Sequence, residues 1–353
     1  MTLTRGCQTA RRKINIPLVF LFLLIISPLI GQSAPGGNKQ KSEFPPIGMA
    51  VEFMDHAACA YVAYDKGWFR DEGLHISVYE SYVTGMALAA ALARGDIQVA
   101  YMCLVPAINV YANARVPIRV VAGTHKHGYG LVVNPEKIKD CRDLEKPGTR
   151  IGCVREGGAV DVVLHKTMDK YRLDAGKILK NLRRMNPPKQ VLAISMGRLD
   201  AAFLPEQWAT MAEDFGFKML LTSEDVWPDM QGSVLVVKEE LIQDNPEVVR
   251  RLLSVSKRAT RWLNENRNSA SIIVARQLSG TKREILPSKG DKLTTAFDIT
   301  PQIISRSMDR MVFTTDLDQR VVEDMINYIT QLGYIKPGIK AQDILDMSFL
   351  HEE

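Results

Sequence analysis

The chain has 353 residues, of which 46% are hydrophobic and 24% charged, and its formal net charge is +5. This composition excludes disordered, collagen-like and disulfide-scaffold proteins, and the length suffices for one large domain or two ordinary ones. Four basic residues and no acidic residue lie in residues 1–33, so the rest of the chain is close to neutral. Because no basic stripe remains, we do not expect a nucleic-acid partner.

The first 33 residues have the organisation of an export signal. A basic stretch at 11–13 precedes an apolar run over 16–30, and the small residues Gly31 and Ser33 stand before Ala34. This order is typical of a cleaved secretory signal peptide. The apolar run would form roughly 22 Å of helix, which is short for a hydrocarbon core of ~30 Å. We therefore expect a periplasmic protein, with an uncleaved N-terminal membrane anchor as the alternative.

Residues 34–46 are rich in Pro, Gly and polar residues and predict a flexible lead-in. After them short apolar segments alternate with longer helical ones, which favours an α/β fold with mostly parallel sheets. The predicted strands are 48–53, 74–79, 97–102, 118–122, 150–154, 201–203 and 219–221. The predicted helices are 57–66, 85–94, 106–112, 160–171 and 206–214, with a turn at 186–188 and a further element at 191–196. From 246 onward the chain is predicted to be mostly helical.

Two similar segments, about 100 residues apart, predict how the chain is divided. Residues 130–133 and 233–237 are apolar strands, and each is followed by the acidic start of a helix. A chain that leaves one lobe, builds another and returns must make two such crossings. We therefore predict a hinge at about 128–131 and 232–235. Lobe I would be 47–129 together with 235–353, including the C-terminal helices, and lobe II would be 130–234.

Four cysteines follow the signal: Cys59, Cys103, Cys141 and Cys153. In an oxidising compartment an even number allows two disulfides, and Cys59–Cys103 and Cys141–Cys153 are the pairs to test first. The interpretation that we favour is four buried free thiols, and the disulfides are the alternative.

The sequence gives no spacing of cysteines and histidines that is typical of zinc sites. His125 and His127 would share one face of a strand, but no third ligand is visible, and we expect both on the surface. We therefore predict neither a metal nor a cofactor.

A motif over residues 55–74 points to a known family. A helix ends at Lys66-Gly67, the aromatic pair Trp68-Phe69 follows, and Asp71-Glu72-Gly73-Leu74 leads into the second strand. This stretch resembles the periplasmic solute-binding proteins of ABC importers, in the NMT1/THI5-like group that serves nitrate, sulfonate, taurine and thiamine precursors. The likeness extends over roughly residues 47–275.

The resemblance implies a two-lobe periplasmic binding protein fold of type II. Each lobe would be a mixed, mostly parallel sheet flanked by helices, and the lobes would be joined by two crossing strands. The protein would be a monomer that closes over one small-molecule solute and delivers it to a membrane permease and its ATPase. In such a fold, strand ends and helix N-termini converge on one crevice, and helix N-termini suit anions or polar acceptors.

Two loops of lobe I supply the first candidate contacts. In the first, Asp55 is either a solute contact or the N-cap of the first helix, and His56 matches the thiamine-precursor branch. In the second, Thr84-Gly85 matches a Ser-Gly turn of the family, although Thr84 also suits a plain N-cap. Tyr82 would stack on a planar solute or pack against the next helix.

Two further loops complete the predicted site. The third contributes Leu104 and Pro106, and the fourth contributes Glu156, Gly157 and Gly158. Oxyanion-binding members often place Ser or Thr among these glycines, whereas this chain offers only backbone N–H groups there.

The acidic residues near these loops bear on the charge of the solute. Glu156 and Glu206 either contact the solute or stabilise helix starts. With Asp55 and Glu80 they disfavour a doubly charged oxyanion and favour a nitrogen-bearing, aromatic or zwitterionic solute. Arg155, in the same loop as Glu156, would reverse this preference.

No Gly-x-Ser-x-Gly elbow, Walker loop or HExxH motif is found, so the sequence predicts a binding protein and not an enzyme. One alternative is a sensory binding module for a membrane receptor. The other is an enzyme similar to the synthases of the thiamine pyrimidine precursor, although the cysteine-rich segment of those proteins is missing here.

Overall fold

Two β-sheets organise the chain in the computed structural model, which describes residues 44–285 and 298–350. The predicted signal at 1–33, and nearly all of the lead-in at 34–46, lie outside the described residues. The strands, in chain order, are β1 (Ile47–Glu52), β2 (Ile76–Tyr82), β3 (Val99–Cys103), β4 (Ile118–His127), β5 (Tyr129–Val133), β6 (Ile151–Cys153), β7 (Leu182–Arg184), β8 (Ala201–Pro205), β9 (Lys218–Thr222), β10 (Gln231–Lys238) and β11 (Met311–Val312).

The first sheet has the strand order β11-β4-β10-β3-β1-β2. Strand β1 runs parallel to β2 and β3, whereas β10 is antiparallel to β3 and β4. Every residue of β1 is buried, as expected for a central parallel strand covered on both faces. Strand β2, at the sheet edge, is partly exposed.

The second sheet has the strand order β7-β6-β8-β5-β9. Strand β6 is parallel to β7 and β8, and β5 is antiparallel to β8 and β9. Both sheets are therefore mixed, and in each the parallel strands are joined through helices, which is the α/β pattern that the sequence predicts.

The helices, in chain order, are α1 (Ala58–Asp65), α2 (Trp68–Asp71), α3 (Gly85–Arg94), α4 (Leu104–Ala114), α5 (Ala159–Tyr171), α6 (Ala175–Asn181), α7 (Pro187–Ser195), α8 (Glu206–Glu213), α9 (Ser223–Val226), α10 (Glu239–Asp244), α11 (Pro246–Glu265), α12 (Arg267–Ile285), α13 (Pro301–Met308), α14 (Gln319–Gln331) and α15 (Ala341–Ile344). Short 3-10 helices lie at Asp55–Ala57, Cys141–Glu145 and Ser348–Leu350. Among the described residues, no helix combines the length and the apolar composition that crossing a bilayer would require.

The long helix α11 shows why the C-terminal part packs as it does. Its apolar residues recur every three or four positions, from Val248 through Leu252 and Ala259 to Leu263, and all of these are buried. Such a stripe on one face requires a hydrophobic partner. That partner includes α1, which lies against α11 and α12 in the same core.

The chain passes between the sheets at Gly128, where β4 ends and β5 begins. Gly128 has φ +88°, and a Cβ there would lie 2.8 Å from His56 Nε2 and 2.9 Å from His125 Cε1. The position therefore requires glycine both for its backbone conformation and for space. The return passes from β9 through α9 into β10, which lies wholly in the first sheet.

Candidate functional site

A cavity of about 180 Å³ lies between the two sheets. The first sheet contributes Glu52, at the end of β1, and Cys103, at the end of β3. The second contributes Tyr129, Arg184 and Pro205. The cavity thus lies where strands of both sheets end, the place at which α/β folds collect their ligand contacts.

Four helices begin at this cavity. Their first turns supply Gly85 of α3, Pro106 of α4, Ala159 of α5 and Pro187 of α7 to the lining. Unpaired N–H groups and the helix dipole give such N-termini a partial positive charge. Pro106 and Pro187 themselves have no N–H, so an acceptor group or an anion would depend on the other first-turn N–H groups and on Arg155, whose basic side chain also lines the cavity.

The caps of these helices differ. The Thr84 Oγ1 accepts a hydrogen bond from the Ala87 N–H at 3.3 Å, and Asn186 caps α7 in the same way at 3.0 Å. In contrast, Gly158 precedes α5 and offers no side-chain cap. Helix α4, which follows Cys103, also lacks a side-chain cap, so the first backbone N–H groups of α4 and α5 receive no hydrogen bond from a cap side chain.

Most of the remaining lining is apolar. Its apolar side chains include Met54, Val83, Met86, Val154, Val160 and Met185, and the exposed residue Arg155 also lines the cavity. Such a surface favours an apolar body, and methionine side chains adapt readily to its shape.

The positive charge of Arg184 is compensated by an acidic side chain of the protein itself. Its Nη1 donates to the carboxylate of Asp161 and, at 2.7 Å, to the Val154 carbonyl. Asp161 is fully buried and also accepts a hydrogen bond from the Tyr334 hydroxyl. Glu156 lies 3.7 Å from the same guanidinium. Arg184 therefore lines the cavity as one half of an ion pair and not as an uncompensated cation.

A buried polar cluster forms the floor of the cavity on the side of the first sheet. The Cys103 thiol lies 2.9 Å from Glu52 Oε2 and 3.9 Å from His56 Nδ1, and the Tyr129 hydroxyl donates to it at 3.1 Å. Burial raises the pKa of Glu52 to about 7 and that of the thiol well above its ordinary value. Burial lowers the pKa of His56 to about 4. At neutral pH this histidine and this thiol are therefore uncharged.

The structure brings four of the predicted contacts to the cavity wall: Thr84, Gly85, Pro106 and Gly158. Thr84 is also an N-cap, so both of its predicted roles are compatible. A Cβ at Gly85 would lie 2.2 Å from Glu52 Oε1. The α3 backbone therefore approaches the cluster as closely as it does only because this residue is glycine.

Four other predicted contacts lie next to the lining in sequence but not in it. Tyr82 donates its hydroxyl to the Glu80 carboxylate, and Leu104 is fully buried in the core. The Gly157 carbonyl accepts from Asn109 Nδ2 at 3.1 Å, and the Glu156 side chain is 76% exposed. Their contact with a solute stays a prediction.

The remaining three, Asp55, His56 and Glu206, are buried behind the wall. Asp55 accepts a hydrogen bond from Ser307, and Glu206 Oε1 accepts from Arg310 Nη1 at 2.9 Å. Asp55 is not an N-cap, because a 3-10 helix begins at this residue itself. Burial raises the pKa of each carboxyl group to about 7. Their contact with a solute also stays a prediction.

Several lining residues were not predicted from the sequence, notably Glu52, Tyr129, Arg184 and Asn186. Two carried a usable signal. Glu52 is an acid at the end of an otherwise apolar strand, and Asn186 is followed by two prolines, which is typical of an N-cap with Pro in the first turn.

The structure also decides two expectations about cysteine and histidine. Cys59, Cys103, Cys141 and Cys153 are buried free thiols, so the interpretation without disulfides is the one adopted. The prediction that His125 and His127 lie on the surface is wrong, because both are buried. The His125 ring packs against the rings of His56 and Phe313, with centroids 4.3 Å and 6.1 Å away.

Comparison with known proteins supports the same fold. The chain is 25% identical over 209 residues to the taurine-binding periplasmic protein of Escherichia coli, covering 58% of this chain and 62% of that protein. It is 22% identical over 267 residues to the nitrate/nitrite binding protein NrtA of Nostoc, covering 69% and 59%.

The periplasmic nitrate-binding protein NrtA of Synechocystis superposes with a TM-score of 0.69 at 14% identity, covering 87% of this chain and 88% of that one. The similarity confirms the predicted periplasmic binding protein fold. The model of the NMT1-like family matches residues 40–276, which is most of the chain. This chain therefore belongs to the NMT1-like family.

Proposed function

We propose that the protein is the extracytoplasmic solute-binding component of an ABC importer. One observation carries this proposal: the cavity is lined from both sheets, with helix N-termini on each side. The relatives with named ligands are a taurine-binding periplasmic protein and a nitrate/nitrite binding protein, which supports a role in solute capture. The partners would be a membrane permease and its ATPase, and the site of action would be the periplasm.

Capture would work by closure of two lobes, 47–129 with 235–353 and 130–234. The crossing at Gly128 and the return into β10 are the segments about which the lobes would rotate. A solute that touches both walls gains contacts only when the cleft is shut, so it stabilises the closed state by that difference in affinity. The permease would then recognise the closed, solute-bound form of the protein.

The lining favours a small organic solute with an acceptor group and an apolar body. The acceptor group would face the start of α5, where Gly158 leaves backbone N–H groups available, and the body would pack on the methionine and valine side chains. The buried carboxyl of Glu52 and the ion-paired state of Arg184 count against a doubly charged anion, whereas Arg155, which also lines the cavity, would favour a negatively charged group on the solute. A zwitterionic, aromatic or nitrogen-bearing solute fits this balance.

The test is a thermal-shift and calorimetric panel of taurine, alkanesulfonates, nitrate, amines and pyrimidines. A ligand at 100 times its Kd stabilises the folded state by about 2.7 kcal/mol, which gives a clear rise in Tm. Ala159→Phe fills the cavity and should abolish the rise. Ala90→Phe, on the exposed side of α3, adds the same side chain elsewhere and should preserve it.

A rise in Tm of equal size in both variants would contradict binding in this cavity. Circular dichroism of each variant without ligand shows whether the substitution has left the fold intact.

A further inference from the structure

Three different metal-ligand types meet at the floor of the cavity. Glu52 at the end of β1, His56 in the 3-10 helix and Cys103 at the end of β3 each present one donor atom, and these atoms all lie within 4.8 Å of one another. All three side chains are buried. Glu52 and His56 are only four residues apart, and the parallel pairing of β1 with β3 brings the distant Cys103 next to them.

The histidine of this cluster is held in the form that binds a metal. His56 Nε2 lies 2.7 Å from the Gly128 carbonyl oxygen, which can only accept a hydrogen bond. Nε2 must therefore carry the proton, and the lone pair of Nδ1 is directed to the side of Cys103 Sγ, 3.9 Å away. A metal-ligating histidine is commonly oriented by such a bond from its other ring nitrogen to a carbonyl.

The carboxylate and the thiol are oriented as well. Glu52 Oε1 accepts a hydrogen bond from the Cys103 backbone N–H at 3.1 Å, which leaves Oε2 next to the sulfur. Cys103 Sγ also accepts hydrogen bonds from the hydroxyls of Tyr129, at 3.1 Å, and Ser233, at 3.6 Å. Donors on a sulfur stabilise the thiolate form that ligates metals.

We propose that Glu52, His56 and Cys103 bind one divalent transition-metal ion, with Zn²⁺ as the representative, at the base of the solute cavity. Thiolate, imidazole and carboxylate are the three protein ligands of zinc, and the sulfur disfavours Mg²⁺ and Ca²⁺. On binding, the Cys103 thiol, and the Glu52 carboxyl where it is protonated, release their protons to solvent, and the sulfur and a carboxylate oxygen bind the metal. One thiolate and one carboxylate then neutralise the dication.

Neutrality matters because the cluster is buried. Among the described residues, the hydrogen bonds to the Glu52 carboxyl group come from Cys103 and no lysine or arginine pairs with it, so a metal would be the cation that compensates its charge. Glu52, Cys103 and Tyr129 also line the cavity. The metal would enter from there and keep a fourth position open to water or to a donor atom of the solute.

This inference does not rest on the proposed function, because metal binding is measured on the protein without any solute. The full chain is purified, stripped with a chelator, and titrated with Zn²⁺ against a chromophoric competitor, and with Co²⁺ in the presence of excess Mg²⁺. We expect one ion per chain and a near-ultraviolet thiolate-to-cobalt charge-transfer band. Zn²⁺ should also protect Cys103 from alkylation, as read by peptide mass spectrometry.

Variants separate the site from adventitious binding. Cys103→Ser should remove the charge-transfer band and weaken Zn²⁺ binding by more than about 100-fold, whereas Tyr129→Phe should weaken it by about 10-fold. The matched control is Cys141→Ser, which removes a buried free thiol outside the cluster and should leave binding unchanged.

Absence of stoichiometric Zn²⁺ binding, or binding that Cys103→Ser leaves intact, would overturn the proposal. The alkylation result in the unsubstituted protein stands even if a variant fails to fold: equal modification of Cys103 with and without Zn²⁺ would also overturn it.

Discussion

Replacement of Arg184 by glutamine tests the assignment of this residue as half of a structural ion pair. The substitution removes the guanidinium that donates to Asp161 and to the Val154 carbonyl. Asp161 stays fully buried and keeps two donors, the Tyr334 hydroxyl and the Gly157 N–H at 3.3 Å. The Asp161 carboxylate therefore loses the cation that balances its charge but keeps two hydrogen-bond donors.

The magnitude follows from the burial of the two partners. Removing one member of a buried ion pair costs about 3–5 kcal/mol, because the other charge stays in a poorly solvated place. The Arg184 side chain is 27% exposed and Asp161 keeps two other donors, so we expect a cost at or somewhat below the lower end of this range. We expect Arg184→Gln to lower the free energy of unfolding by about 2–3 kcal/mol.

The assay is urea unfolding at pH 7 of the single variants Arg184→Gln and Asp161→Asn and of the double variant. The two residues should couple by about 1–3 kcal/mol, so the double variant should lose less than the sum of the single losses. Arg155→Gln, on the exposed neighbouring loop, is the control and should change the stability by less than about 0.5 kcal/mol. Additive losses, or an Arg184→Gln variant as stable as the unsubstituted protein, would refute the reasoning.

Two further substitutions test the second sheet and the crossing point. Arg150 binds both oxygens of Asp200 and holds the pKa of this carboxyl well below its usual range. The charged carboxylate therefore stabilises the folded state above pH ~4, and this stabilisation is lost on acidification. Asp200→Asn should therefore lower the free energy of unfolding, measured in urea, by about 2 kcal/mol at pH 7. The difference in stability between the variant and the unsubstituted protein should shrink as the pH falls towards 3. A difference that grows on acidification would contradict this. Gly128→Ala should destabilise the protein by more than Gly333→Ala. Both positions have positive φ, but only at Gly128 would the added Cβ lie 2.8 Å from His56 Nε2. Equal losses of ~1 kcal/mol in the two variants would contradict this, because they would show that backbone strain alone matters.

Much of the fold was predictable because its local signals agree with its packing. Helix α3 begins and ends where the Thr84 cap and Gly95 predict. Strand β2 extends to Tyr82 and not to 79, since this partly exposed edge strand contains polar residues that do not follow a simple alternation. Strand β7 was not predicted, because its sequence Leu-Arg-Arg carries no strand pattern and its position depends on pairing with β6.

The candidate site was harder to predict, because a loop sequence does not say which way its side chains face. The 3-10 helix at Asp55–Ala57 places Asp55 and His56 behind the wall, while Glu52, three residues earlier, lines the cavity. Likewise, burial of His125 follows from contacts with His56 and Phe313, which are distant in sequence. Helix N-termini such as those at Thr84 and Gly158 were predictable, because N-cap residues and glycines can be identified from the local sequence alone.

The most direct test of the central claim is native mass spectrometry of the protein isolated from cells that produce it. If a small solute is held between the two sheets, the unsubstituted protein and Ala90→Phe should carry an additional small-molecule mass that is released on denaturation. Ala159→Phe, folded to the same extent, should carry none. Retention of the same mass by Ala159→Phe would contradict the account.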